Sequence, residues 1–60
     1  MEFTVTDPRV PNSPSTKVYS LMALYVIADF AEDEMVEMGN LKPGEYYISH
    51  FPRFKIVRDA

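Results

Sequence analysis

Residues 21–38 decide the fold, and they read LMALYVIADFAEDEMVEM. Apolar residues recur through this stretch at alternating spacings of three and four, at Leu21, Leu24, Ala28, Ala31, Met35 and Met38. This is the period of one face of an α-helix. Ser13 followed by Pro14 favours a helix start, because serine caps free amides and proline fits the first helical position. Together with a stop signal at Gly39-Asn40, the pattern predicts one helix over residues 14–38.

The first half of this stretch carries more apolar surface than a small sheet can cover. As far as Ala31, almost every helical face is apolar. We expect a second copy of the chain or a bound target to cover the excess, around Met22, Val26 and Phe30. An alternative interpretation ends the helix near Ala31 and makes residues 34–38 a strand.

Strand patterns lie on both sides of the predicted helix. Residues 1–6 alternate apolar and polar side chains, as a half-buried strand does. The prolines that follow restrict the backbone, so residues 7–13 are predicted to form a stiff connector. After a turn at residues 41–44, two segments, residues 45–49 and 53–58, predict a hairpin.

The predicted fold is a small single α+β domain over residues 1–60. Its elements follow the order β-α-β-β, with one long helix packed on a short, mainly antiparallel sheet. A chain of 60 residues buries only about 60% of its unfolded surface, so its core is thin. The absence of cysteine excludes a disulfide, and one histidine with scattered carboxylates does not make a structural zinc site.

Charge and hydropathy limit the classes of partner. The formal net charge of -3 makes long-range attraction to nucleic acid or anionic lipid unfavourable. The apolar run at residues 18–28 is too short to cross a bilayer. We therefore expect no membrane association, and the lack of cysteine favours the cytoplasm.

No catalytic set can be assembled from these residues. The single histidine, His50, lies in the turn of the predicted hairpin, and a general base there needs a carboxylate partner and a pocket. No calcium-loop pattern occurs among the acidic residues. We expect neither enzymatic activity nor a cofactor or metal.

Five acidic residues crowd the second half of the helical stretch, and they are the candidate partner-binding face: Asp29, Glu32, Asp33, Glu34 and Glu37. Like charges four residues apart destabilise a helix, and the C-terminal end of the predicted helix disfavours negative charge. A sequence that tolerates these effects is expected to use the charge. The alternative is an ordinary solvated helix face.

The predicted function is that of a small stoichiometric binding protein. Its acidic helix face would occupy a basic, nucleic-acid-binding groove on a larger partner, act as a DNA mimic and inhibit that partner. In type, though not in sequence, the chain resembles the small acidic inhibitors of phages and mobile elements, including anti-CRISPR proteins. A self-associating module with an apolar dimer interface at Met22, Val26 and Phe30 is the first alternative.

A second alternative uses the C-terminal hairpin. Aromatic and basic residues alternate there, and Tyr47, Arg53 and Lys55 form a candidate surface for single-stranded nucleic acid. The same pattern also fits core aromatics beneath a charged solvent face, with Tyr46 and Phe54 in the core. The net charge makes direct nucleic-acid binding the weaker hypothesis.

Overall fold

The computed structural model describes residues 1–12 and 15–60. The described residues contain four strands and two helices: β1 (Phe3–Thr6), β2 (Thr16–Val18), α1 (Leu21–Tyr25), α2 (Glu32–Gly39), β3 (Tyr46–Ile48) and β4 (Lys55–Arg58). The strands form one antiparallel sheet in the spatial order β2-β1-β4-β3. A small fold that combines helices with an antiparallel sheet is thus confirmed. The predicted β-α-β-β order is corrected to β-β-α-α-β-β.

The additional strand comes from the segment after the prolines. β2 pairs with β1, placing Val18 opposite Phe3 and Thr16 opposite Val5. Its β-branched residues suit a pleated strand better than a helix. The predicted connector, residues 7–13, is described as far as residue 12. It lies between the paired strands β1 and β2 and not between a strand and a helix.

The predicted single helix over residues 14–38 is wrong. α1 ends at Tyr25, and the chain turns before α2 begins at Glu32. The break lets Ile27, Ala28 and Phe30 pack against the core, which a straight continuation of α1 would not allow for all three. Burial of these side chains therefore outweighs the regular helical spacing of the sequence.

Of the two ends of the predicted helix, only the C-terminal one can be compared with the structure, and it agrees. The predicted start at Ser13 and Pro14 lies outside the described residues. α1 instead begins after Ser20, whose Oγ accepts a hydrogen bond from the Ala23 N–H at 3.0 Å and so caps the helix. The stop signal at Gly39-Asn40 is confirmed, because α2 ends at Gly39. The alternative of a strand over residues 34–38 is wrong, since these residues lie within α2.

The sheet has a covered inner face and an open outer face. The inner face supplies Phe3, Val5 and Ile56 to the core, and the helices cover it with Leu24 and Met38. Leu41 and Phe54 complete this cluster of buried apolar side chains. The outer face carries the alternate residues of the strands, among them Thr4, Lys17, Tyr46 and Lys55.

Neither helix within residues 1–12 and 15–60 is long and apolar enough to span a membrane.

Candidate interaction surface

The acidic run straddles the start of α2 rather than the end of a long helix. Asp29 precedes α2, and Glu32 and Asp33 occupy its first turn. Negative charge is favourable there, because the free amides at a helix N-terminus carry partial positive charge. The prediction that these charges destabilise the helix is therefore wrong for the residues in the first turn of α2. Only Asp33 and Glu37 remain as a like-charged pair four residues apart within α2.

Glu34 differs from its neighbours because its side chain is buried, with only 4% of the residue exposed. One carboxylate oxygen accepts the Ala31 N–H at 3.2 Å. The other accepts the His50 N–H at 2.8 Å and faces the Tyr47 hydroxyl at 3.4 Å. Glu34 thus joins the start of α2 to the segment after β3, and its carboxylate is not available to a partner.

The other four predicted carboxylates are exposed, and we call them the acidic surface: Asp29, Glu32, Asp33 and Glu37. On the outer side of α2, the exposed side chain of Val36 lies within one helical turn of three of them. Arg9 forms an ion pair with Asp7, and Lys17 forms ion pairs with Glu2 and Asp59. Within the described residues, no lysine or arginine forms an ion pair with the acidic surface.

The His50 ring also approaches this surface. Its Nε2 lies 3.4 Å from an Asp33 carboxylate oxygen, and both side chains are largely exposed. His50 therefore has the carboxylate neighbour that a general base needs, but the pair lies on the open surface and not in a pocket, and water screens it. No sequence pattern predicted this contact, because it depends on how the hairpin packs against α2.

Tyr47 links the sheet to the buried carboxylate. Its ring is half-buried, and its hydroxyl points toward Glu34. Burial raises the pKa of Tyr47 above its ordinary value, and the nearby Glu34 carboxylate raises the pKa further. Both effects favour the neutral phenol, which can donate a hydrogen bond to Glu34.

The segment that joins the hairpin strands, residues 49–54, is the β3–β4 loop. The Phe54 N–H donates to Ser49 Oγ and to the Pro52 carbonyl, each at 2.9 Å, and the Ser49 hydroxyl also donates to Pro52. These hydrogen bonds fix the shape of the loop. Phe51 projects from it with 82% of its surface exposed. Phe51 was not among the predicted site residues, although an aromatic side chain in a tight turn is a signal visible in the sequence.

The three residues of the predicted apolar interface differ in their exposure to solvent. Met22 and Val26 are 75% and 78% exposed, at the outer side of α1 and at its C-terminal end. Phe30 is half-buried and packs on the core, with its ring edge-on to Phe54 at a centroid distance of 6.4 Å. Two of the three residues therefore remain available for contact.

The three residues of the predicted nucleic-acid surface do not lie on one face of the sheet. Tyr47 is opposite Ile56 on the inner face, whereas Lys55 is on the outer face. Arg53 is exposed in the β3–β4 loop. The aromatic residue beside Lys55 is Tyr46, an exposed residue that was predicted to be core; the Lys55 Nζ lies 5.1 Å from its ring centroid.

Within residues 1–12 and 15–60, no group of three or more potential ligands comes together to hold a metal ion. Searches against protein-family models, curated proteins and solved structures find no match to this chain.

Proposed function

We propose that the protein is a stoichiometric inhibitor that binds a larger protein through its acidic surface. The observation that carries this proposal is the exposure of Asp29, Glu32, Asp33 and Glu37 without ion-pair neighbours among the described lysines and arginines. These carboxylates are free to accept hydrogen bonds from a partner. Such charge-assisted bonds to lysine and arginine are stronger than neutral ones.

The partner is a protein with a basic groove that normally holds nucleic-acid phosphates. Asp33 and Glu37 lie four residues apart on α2, which places them about 6 Å apart along the helix axis. Carboxylates in such a row can occupy cationic side chains that would otherwise bind phosphates, so the protein acts as a DNA mimic. Phage-encoded and anti-CRISPR inhibitors are the type of protein that this mechanism fits. The net charge of -3 also accelerates association with a basic partner.

The proposal is tested by neutralising the acidic surface without changing its shape. Affinity capture from cells of the native host, followed by mass spectrometry, would supply the partner for calorimetric titration. We expect the double variant D33N/E37Q to bind at least about tenfold more weakly, because two charge-assisted contacts are lost. The variant V10K/T16K is the matched control. It changes the net charge by the same +2 at exposed positions in the β1–β2 hairpin, outside residues 29–37, which carry the acidic surface.

The two variants separate a local contact from a general charge effect. If D33N/E37Q and V10K/T16K weaken binding equally, only net charge matters and the surface has no specific role. If D33N/E37Q binds as tightly as the wild type, the proposed function is wrong. Raising the salt concentration should weaken wild-type binding more than that of D33N/E37Q.

A second candidate function is self-association through α1. Met22 and Val26 lie four residues apart, so their exposed side chains are on the same side of the helix. Sedimentation of the wild type and of M22S/V26S across a concentration series would test this alternative. A concentration-dependent dimer in the wild type alone would support it, and a monomer throughout would exclude it.

A further inference from the structure

Phe51 is the most exposed of the large apolar side chains within the described residues. The hydrogen bonds between Ser49, Pro52 and Phe54 hold the backbone on both sides of it. Because the loop is already fixed, little conformational entropy would be lost when Phe51 enters a binding pocket. Aromatic side chains presented in this way are typical of the residues that contribute most to protein–protein affinity.

The position of Phe51 places it at the border of the acidic surface. The residue before it, His50, donates its backbone N–H to Glu34 and lies beside the Asp33 carboxylate. The hydrogen bond to the buried Glu34 holds the β3–β4 loop against the first turn of α2. Phe51 therefore directly follows a residue whose ring lies 3.4 Å from one of the exposed carboxylates, Asp33. An apolar centre with a charged rim is the usual arrangement of a specific interface.

We propose that Phe51 is the apolar anchor of the interface and inserts into a pocket on the partner that is bordered by lysine or arginine side chains. This inference rests on the proposed function, and it makes the partner more specific: a basic groove without an apolar pocket would not suffice.

The negative charge beside Phe51 indicates which kind of molecule binds there. A symmetric contact of two copies centred on Phe51 would bring the neighbouring Asp33 carboxylates of both chains together, where like charges repel. A partner with a basic rim instead neutralises Asp33 while its pocket removes Phe51 from water.

A library of random 12-residue peptides displayed on phage provides a probe for this surface. Peptides selected on the wild-type protein would be synthesised, and their affinities measured by calorimetry. We expect them to combine lysine or arginine with an aromatic or aliphatic residue. F51S should weaken their binding at least about tenfold, as truncation of a central apolar anchor does. F51L, which keeps an apolar side chain, should retain most of the affinity.

Y46S is the matched control, because it removes another exposed aromatic ring from the outer face of the sheet. We expect Y46S to bind as the wild type does. Thermal unfolding of each variant would establish that F51S is folded, which we expect because Phe51 is almost fully exposed.

The pattern of losses separates this inference from the proposed function. If D33N/E37Q and F51S both lose affinity, both ideas are supported. If only D33N/E37Q loses affinity, Phe51 is not an anchor but the acidic surface remains. If only F51S loses affinity, the basic rim and the proposed function are both overturned. Selected peptides that bind every variant equally, or a library that yields no binder, would overturn the anchor.

Discussion

The inward and outward sides of α2 and the β3–β4 loop use the same residue types in opposite environments. Phe54 is 8% exposed and Phe51 is 82% exposed, although only two residues separate them. Glu34 is buried and hydrogen-bonded, whereas Glu37, one turn further along α2, is exposed. The inward members pack or form hydrogen bonds within the fold, and the outward members are exposed to solvent. Residue type alone therefore does not assign a role in this region.

The largest expected difference is between the two phenylalanines. F54A removes a ring that packs in the core against Phe30, and we expect it to lower the free energy of unfolding by about 3–5 kcal/mol. F51A removes a ring that is almost entirely in water, and we expect a change within about 0.5 kcal/mol. Urea unfolding at low temperature would measure both, since F54A leaves little residual stability in so small a domain.

Two results would contradict this expected difference between Phe54 and Phe51. A loss of only a few tenths of a kcal/mol in F54A would mean that the core is not packed around this ring. A large loss in F51A would mean that Phe51 contacts the rest of the chain and is not free for a partner.

The two glutamates should show the next largest difference. E34A leaves the Ala31 and His50 amides and the Tyr47 hydroxyl without their acceptor, and we expect a loss of about 2–3 kcal/mol. E37A removes an exposed carboxylate and should change stability by less than about 0.5 kcal/mol. Chemical denaturation of both variants at pH 7 would measure the difference.

Hydrogen exchange sharpens the test of Glu34. The His50 amide should exchange faster in E34A than in E37A, because its acceptor is lost only in the former. Equal exchange and equal stability in the two variants would show that Glu34 does not hold the β3–β4 loop against α2.

The sequence predicted those elements whose signals are local. The alternation around Phe3 and Val5, the turn at residues 41–44 and the hairpin after it are properties of short segments, and they appear in the structure. The helix stop at Gly39 is likewise local. The single long helix failed because its apolar spacing was compatible with two helices, and only burial against the sheet selects between them.

The candidate site was predicted only in part, because some of its features are local in the sequence and others depend on distant residues. The exposed carboxylates are visible as charges in the sequence, so four of the five predicted residues form the acidic surface. The burial of Glu34 depends on the His50 amide, which is 16 residues away along the chain. The inward position of Tyr47 depends on a strand register that pairs it with Ile56. A shift of one residue exchanges the two faces of a strand, and the register here depends on the hydrogen bonds of the β3–β4 loop, which no pattern in the sequence indicates.

The smallest expected effect concerns Tyr47 and is a dependence on pH. Because burial and Glu34 raise its pKa in the folded state, the unfolded chain releases the Tyr47 proton first as the pH rises. This contribution to stability is fully present below the ordinary tyrosine pKa of 10.0 and is lost as the pH rises through the folded-state value. The free energy of unfolding should therefore fall more steeply above about pH 9 in the wild type than in Y47F. An ultraviolet titration of E34Q should show a smaller rise in the pKa of Tyr47, since one of its two main causes is removed. If Y47F and the wild type lose stability in parallel up to pH 11, Tyr47 does not differ from an outward tyrosine, and the comparison holds only for Phe54 and Glu34.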